Sequence, residues 1–448
     1  MSEGAGEPER DGPLSRPQLD WFLSWRIGQP DHVLRTDPHL FNMAISATPR
    51  RPASVAELMR AVRVMVTRHE ATRTRLNFDG GPGSSQEVMA APRRSEDIER
   101  MVRVTDARRA PEVFAEVKRT DFAADEWLPV RVVASTRGTA VREVAMVADH
   151  AALDAWGIRV ARDDLLRVLE GATPVEQVGQ PLDDVAWERS PAGQRQSVRA
   201  LEFWTSKSRA LAEILTDAPP LPATGLPGTD FASCSVASAR VLHAARSVSA
   251  ASTAPVSAVL LAAFAAAVAE VTGAPGVGVH AHAVNRHTEE ARNSASNRFM
   301  RAPVVLRTRR RTLADLSADA YGQQLRGHVH ADVDRPRLEE LRAEILPPGA
   351  SPVLAEAWFN FHNSVVHGTD LLPDEEIVGA PRHRAVRYDT AVRGPAKRRG
   401  RIFMLKVKHL RDHVRLNLSW RADVLEDEAA REALHRTCAL LIQAGERA

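Results

Sequence analysis

The feature that most constrains the fold is a pair of strand patterns that runs directly into a helix pattern. Residues 128–135 and 141–148 are rich in apolar and β-branched residues and are separated by a Gly-containing turn. The polar segment 149–157 follows at once, and apolar residues at helical spacing then continue to Gly171. Helix and strand patterns interleave in both halves of the chain, which predicts an α/β fold with mixed sheets.

The length of 448 residues suits two lobes better than one core. The stretch 172–180 is polar and contains Gly and Pro, so we place the lobe boundary there. The predicted organisation is a disordered tail at 1–12, an N-terminal lobe at 13–175 and a C-terminal lobe at 176–448.

The composition excludes several classes of function. Lys and Arg total 60 against 57 Asp and Glu, and this mixed charge, +3 overall, does not indicate nucleic acid binding. Cys234 and Cys438 are too few for a disulfide framework or a zinc site, and we expect no metal. The longest apolar run, 254–269, is shorter than the roughly 20 residues of a membrane span. Residues 1–12 lack the pattern of a signal peptide, so we expect a cytoplasmic protein without a membrane.

The residues with the clearest chemical potential are His150 and Asp154, which lie between the second strand and the helix. Imidazole is the side chain best suited to accept a proton near neutral pH, and such proton transfer raises rates by roughly 100- to 10,000-fold. Rigid elements on both sides fix a short exposed segment, as catalysis requires. The spacing His-x-x-x-Asp alone is a weak signal and is far more often incidental.

Several segments, in order along the chain, are similar to motifs of one family. They resemble its opening motif, its Arg-His-Glu motif, its His-His-x-x-x-Asp-Gly motif, its Tyr-x-Asp-Phe-Ala-x-Trp motif, its Asn-Arg and Gly-Asn-Phe segments and its Phe-Asn-Tyr strand, and lie at 14–23, 68–74, 149–157, 183–187, 282–286, 297–299 and 358–363. The chain therefore resembles the condensation domains of nonribosomal peptide synthetases over nearly its whole length.

The resemblance implies two chloramphenicol acetyltransferase-like lobes in a V-shaped pseudo-dimer with a central tunnel. It implies a stand-alone acyltransferase of specialised metabolism, such as antibiotic biosynthesis, without a bound cofactor, and by analogy a monomer. The donor would be an acyl group held as a phosphopantetheine thioester on an acyl or peptidyl carrier protein in trans, with coenzyme A as the second choice of carrier. The acceptor would be an amine or an alcohol, and the product an amide or an ester.

The same resemblance assigns roles to residues. His150 would position or deprotonate the acceptor, and Asp154 would hold the loop through a salt bridge to Arg286. Trp156 and Asn360 are placed among the substrate-binding residues. Two further positions, Ala155 and Gly157, would support the site, and the backbone N–H of Ala155 could face an oxyanion.

Two departures from the family motif leave an alternative open. Asp149 stands where the family has its first His, and Ala155 stands where it has Gly. A carboxylate beside His150 favours the imidazolium form, which hinders a general base unless Asp149 points away or pairs with an Arg. The alternative is therefore a catalytically degenerate condensation-like domain that binds carrier-bound intermediates or recruits a partner enzyme.

Other prominent residues receive plainer interpretations. His69 is expected to cap a helix end, where a cation is favoured, and Trp187 and Trp204 are expected in the core. The arginines of 307–311 are expected to be a solvated strand end. The basic loop 393–401 is also expected to be solvated, with carrier-protein or coenzyme A binding as a second hypothesis.

Overall fold

The computed structural model describes residues 7–26, 42–79, 83–122, 128–174, 176–226, 228, 230–363, 387–388, 392–395 and 402–447. The helices within these ranges are α1 (Arg16–Arg26), α2 (Val55–Arg68), α3 (Ser95–Met101), α4 (Ala110–Arg119), α5 (Ala155–Leu169), α6 (Pro181–Arg189), α7 (Pro191–Thr216), α8 (Ala239–Ser252), α9 (Val256–Thr272), α10 (Glu289–Arg292), α11 (Leu313–Val329), α12 (Arg335–Ile345), α13 (Pro352–Ala355) and α14 (Asp427–Gly445). The strands are β1 (Pro8–Pro13), β2 (Asn42–Ala47), β3 (Ala53–Ser54), β4 (Thr74–Asn77), β5 (Ser85–Met89), β6 (Val102–Asp106), β7 (Val130–Arg137), β8 (Ala140–Asp149), β9 (Asp230–Ser238), β10 (Gly276–Ala283), β11 (Met300–Arg307), β12 (Ala357–Asn363), β13 (Arg387–Tyr388), β14 (Val392–Pro395), β15 (Phe403–His409) and β16 (Val414–Arg421).

The chain divides into two compact units, and the predicted α/β class with mixed sheets is confirmed. The first unit holds the described residues up to Arg195 and then Val284–Met300, and the second holds the remainder. The chain thus returns to the first unit after β10. The lobe limits proposed from the sequence stay a prediction.

The first unit contains two sheets. One has the strand order β2-β8-β7-β6, with β3 beside β8, and its pairs are antiparallel except for the parallel β6–β7 pair. The other is the three-stranded sheet β1-β5-β4. Helices α2 and α5 share one apolar core with the first sheet, and its fully buried members include Val62, Met65, Met146, Ile158 and Leu165. Strand β8 therefore lies between β2 and β7, and one face of its sheet packs against α2 and α5.

The start of α2 follows from a local signal that the sequence shows directly. The Ser54 hydroxyl accepts a hydrogen bond from the Glu57 N–H, while the Glu57 carboxylate accepts one from the Ser54 N–H at 2.7 Å. This capping box satisfies two backbone donors that a helix N-terminus otherwise leaves open.

The second unit is built on an eight-stranded sheet with the order β11-β10-β12-β15-β16-β9-β13, and β14 also pairs with β9. Alternate residues of β15 and β16, such as Leu405, Val407, Leu416 and Leu418, face its core, as the period of two in a strand requires. Helix α9 is apolar on all sides and nearly all of it is buried. Among the described residues no single helix is long and apolar enough to cross a membrane, and α8 and α9 pass that test only as a pair bent by 104°.

The structure differs from the sequence expectations at four places. Pro8–Pro13 forms strand β1 against β5 instead of a tail, because its backbone pairs although its side chains are polar and mostly exposed. The sequence pattern predicts a strand at 353–360, but the strand begins at Ala357, because Pro352 opens the short helix α13. Val392–Pro395 pairs with β9, so the expected loop is partly a strand. Trp187 is 46% exposed rather than buried, whereas Trp204 lies in the core as expected.

Candidate functional site

The backbone at the end of β8 is fixed by pairing on both sides. Asp149 lies opposite Asn42 of β2, and its N–H donates to the Pro129 carbonyl oxygen at 3.0 Å. His150 is the first residue beyond the strand. Its position at a strand end, expected from the sequence, therefore follows from the register of the sheet.

The side chain of Asp149 shapes the turn that carries His150. One carboxylate oxygen of Asp149 accepts a hydrogen bond from the Ala151 N–H at 2.8 Å. Its carbonyl oxygen accepts from the N–H groups of Ala152 at 3.2 Å and Leu153 at 3.1 Å. Asp and Asn commonly bond to their own backbone two residues on, which stabilises such turns. Asp149 thus performs a structural task in this loop.

His150 is held through its backbone by Asn297. The Asn297 side-chain amide donates to the carbonyl oxygens of His150 at 3.1 Å and Ala151 at 3.3 Å. The backbone N–H of Asn297 donates to the carbonyl oxygen of Ala152 at 2.8 Å. The half-buried imidazole ring lies 5.9 Å, between centroids, from the ring of buried Trp21. Asn297 was not among the site residues predicted from the sequence. Its place in the motif at 297–299 is the feature that could have identified it.

Asp154 and Arg286 form the salt bridge that the family resemblance implied. The Asp154 carboxylate accepts from Arg286 Nη2 at 2.8 Å, from the Gly157 N–H at 2.6 Å and from the Arg298 N–H at 2.9 Å. Only 6% of the Asp154 side chain and 1% of the Arg286 side chain are exposed. The Arg286 guanidinium also donates to the carbonyl oxygens of Ala291, Ser294 and Ser296. A buried charge pair requires such additional hydrogen bonds, and here they are present.

The residue before Arg286 has an unusual backbone conformation. Asn285 has a φ of 44°, in the left-handed region that Asn tolerates better than most residues. Burial lowers the pKa of Arg286 from its ordinary value, and the charge of Asp154 opposes this effect. Because guanidinium stays protonated in proteins, the pair remains ionic.

The first turn of α5 places the next three site candidates. Asp154 is the N-cap of this helix, and Ala155 is its first residue, whose N–H has no intrahelical acceptor. The Trp156 indole N–H donates to the Arg292 carbonyl oxygen at 2.8 Å. A Cβ added to Gly157 would lie 2.2 Å from the Ala295 carbonyl oxygen, so this close approach requires glycine.

A second buried polar group links α5 to α2. The ring of His69, the residue after α2, is buried, and its Nε2 lies 2.8 Å from an Asp164 carboxylate oxygen that also accepts from Arg68 at 3.0 Å. Burial raises the pKa of Asp164, but its contacts with His69 and Arg68 outweigh burial and hold that pKa below its ordinary value. His69 is therefore more than a helix cap, since it anchors the helix that follows His150.

The remaining candidates belong to the second unit or fall outside the described residues. Asn360 lies on β12 of the second unit and is half-buried. Its predicted substrate contact, like that of Trp156, stays a prediction. Of the basic run at 393–401, Arg393 lies in β14, whereas 396–401 are outside the described residues.

Comparison with known proteins identifies the family to which these features correspond. The model of the condensation-domain family matches residues 32–363. A curated relative, nonribosomal peptide synthetase kk1B from Curvularia clavata, is 26% identical over 191 residues, which is 40% of this chain. The match covers 1% of that relative, so the chain spans a very small part of its length.

Solved structures show the same fold. The condensation domain of the Monacolin K polyketide synthase MokA has a TM-score of 0.70 at 17% identity, with 98% of each chain covered. The X-domain from teicoplanin biosynthesis, solved in complex with OxyB, has a TM-score of 0.64 at 17% identity, covering 99% of this chain and 95% of that one. The chloramphenicol acetyltransferase-like fold that the sequence implied is thus confirmed, and the V arrangement and the tunnel stay predictions.

Proposed function

The chain belongs to the condensation-domain family, whose typical reaction is amide bond formation, and from that premise we propose that it is an acyltransferase centred on His150. It transfers an acyl group from a phosphopantetheine thioester to an amine or alcohol. The donor is carried by an acyl or peptidyl carrier protein, with coenzyme A as the second possible carrier. The product is an amide or ester of specialised, nonribosomal peptide-like metabolism.

The observation that carries this proposal is the support around His150. The turn bond of Asp149 and the amide of Asn297 fix the backbone of His150. The pair of Asp154 and Arg286 fixes the start of the following helix. General base catalysis gains most from a base held in a defined position, and misplacement by about 1 Å costs roughly 100-fold in rate.

In the proposed reaction His150 accepts the proton of the acceptor N–H or O–H as that nitrogen or oxygen attacks the thioester carbonyl carbon. The resulting oxyanion is stabilised by a backbone N–H at the start of α5, and Ala155 supplies it. The intermediate then collapses with cleavage of the C–S bond. The phosphopantetheine sulfur leaves and takes up the proton from the imidazolium, so the base is restored.

A second candidate function is recruitment of a partner or of a carrier-bound intermediate without catalysis. It is favoured by Asp149, because this carboxylate replaces the imidazole that the family carries beside its catalytic His. The likeness to the X-domain, a structure solved with a bound partner, supports the same reading at the level of fold.

The test is a turnover assay of the wild type, His150→Ala and the control His287→Ala with acyl-carrier thioesters and a panel of amines and alcohols, read by mass spectrometry. His287 is an exposed histidine of the same unit. We expect His150→Ala to lose roughly 100- to 10,000-fold in rate while His287→Ala matches the wild type. Equal background turnover in all three proteins, with carrier binding intact, would establish recruitment instead.

A further inference from the structure

A cleft in the second unit lies between the C-terminal end of α9 and the N-terminal end of α11. Its volume is about 390 Å³, which falls within the range of roughly 300–1,000 Å³ typical of small-molecule sites. Its floor is apolar and is formed by Ala266, Ala269, Leu313, Leu316 and Leu440. The arginines at its rim belong to the segment that the sequence suggested was merely a solvated strand end.

Three consecutive arginines, Arg309, Arg310 and Arg311, line this rim. Arg309 is anchored by a hydrogen bond from Nη2 to the Gly273 carbonyl oxygen at 3.0 Å, and Arg311 is anchored by an ion pair with Asp319 at 2.7 Å. Each guanidinium has five N–H donors, so both retain donors for a ligand after these bonds.

Arg310 differs from its neighbours in two respects. Its φ is 59°, in the left-handed region that long side chains seldom occupy. Within the described part of the chain its guanidinium makes no hydrogen bond or ion pair. Strained backbone of this kind concentrates at functional sites, where the surrounding structure maintains it.

The charge balance of the cleft is positive. The lining includes one carboxylate, Glu270, and this group is paired with Arg436. The first turn of α11 adds backbone N–H groups without intrahelical acceptors. One of them, the N–H of Asp315, donates to the Thr312 hydroxyl. Arg311 is neutralised by Asp319, so an anion at the rim meets the guanidinium groups of Arg309 and Arg310, which form no ion pair within the described part of the chain. An apolar group attached to the anion reaches the floor.

We propose that this cleft binds a small amphipathic anion, a carboxylate or phosphate monoester carried on a short apolar body. Guanidinium groups bind both anions through paired, charge-assisted hydrogen bonds. Burial of the apolar body against the alanine and leucine floor supplies the rest of the affinity. This ligand site is separate from the chemistry proposed for His150, which belongs to the first unit.

The test is calorimetric titration of the full chain with octanoate and octyl phosphate, which represent the two anions. Acetate lacks the apolar body and 1-octanol lacks the charge. The double variant Arg309→Gln/Arg310→Asn removes both charges, and Asn suits the left-handed backbone. The matched control is Arg307→Gln, because Arg307 pairs with Glu213 and does not line the cleft.

We expect one or both octyl anions to bind at least about tenfold more tightly than acetate or 1-octanol, and more weakly as salt is raised. The double variant should lose at least about tenfold in affinity while Arg307→Gln matches the wild type, both with unchanged circular dichroism. The proposal is wrong if neither anion binds the wild type, if 1-octanol binds equally well, or if the double variant binds like the wild type. None of these outcomes depends on turnover at His150.

Discussion

Replacing Asp154 with Asn tests the buried ion pair that supports the His150 segment. The substitution keeps one oxygen, which can still accept from the Gly157 N–H as a helix cap. It removes the negative charge opposite Arg286, and it places an NH2 group near the Arg298 N–H that now donates to Asp154 Oδ2. Asp154→Asn therefore removes charge and acceptor capacity with little change in volume.

The expected cost follows from burial. Since 1% of the Arg286 side chain is exposed, its charge cannot be solvated once Asp154 is neutral. Removing one partner of a buried ion pair costs about 3–5 kcal/mol in the free energy of unfolding. For a unit of 150–250 residues, in which 1 kcal/mol shifts Tm by about 2–4 °C, this is a fall of roughly 6–20 °C.

The assay is urea unfolding followed by circular dichroism, with Glu116→Gln as the control. Glu116 pairs with Arg103 at 2.6 Å, but both side chains are at least half exposed, so we expect a cost of at most about 1 kcal/mol. The double variant Asp154→Asn/Arg286→Met should cost less than the sum of its single changes, because it leaves no unpaired buried charge. A cost for Asp154→Asn no larger than that of Glu116→Gln would refute this reasoning.

Three further changes test the supports of the site. Asn297→Ala removes the amide that holds the His150 carbonyl oxygen, and we expect turnover to fall by roughly 10- to 100-fold while circular dichroism stays unchanged. Gly157→Ala should destabilise by about 1–3 kcal/mol in urea unfolding, because its Cβ meets backbone, whereas Gly322→Ala, with only a flexible side chain nearby, should stabilise by about 0.4–1 kcal/mol. Because folding lowers the pKa of Asp164, its ionised carboxylate stabilises the folded state at pH values above the ordinary pKa of 3.8. This stability is lost as the pH falls through the folded-state pKa. The wild type should therefore be more stable than Asp164→Asn at pH 7, and the two unfolding curves should converge once the pH has fallen below the folded-state pKa of Asp164; a gap that persists there would show that the contribution is not ionic.

Local patterns in the sequence predicted those parts of the fold that local physics determines. The capping box of Ser54 and Glu57 is a contact between residues three apart, so the sequence alone identifies it. The apolar run at 254–269 likewise predicts the buried helix α9, since a helix that is apolar on all sides must be buried. Strand β1 was missed because it pairs through its backbone with β5, and its own side chains carry no apolar alternation.

The residues of the site were predictable, but of their contacts only one ion pair was. The motif order identified His150, Asp154 and Arg286, and the ion pair implied for the last two is present. The tasks of Asn297 and Gly157 could not be read from the sequence, because each depends on a contact across more than 130 positions, with the His150 loop and with Ala295 respectively. Such contacts exist only once the segment at 284–300 has returned to the first unit.

The arrangement of these supports bears on the two departures from the family motif. A buried ion pair is a weak source of stability compared with apolar packing, so its value lies in directed hydrogen bonds. Those of Asp154 bind three separate positions and fix where α5 begins, while the sheet fixes where β8 ends at Asp149. Asp149 and Ala155 thus bound a short loop whose two ends are already positioned, and neither substitution requires the His150 backbone to move. What distinguishes the two proposed functions is therefore whether the His150 ring accepts a proton from the acceptor substrate. If the chain is an enzyme, Asp154→Asn must lower stability and turnover together, whereas His150→Ala must lower turnover alone.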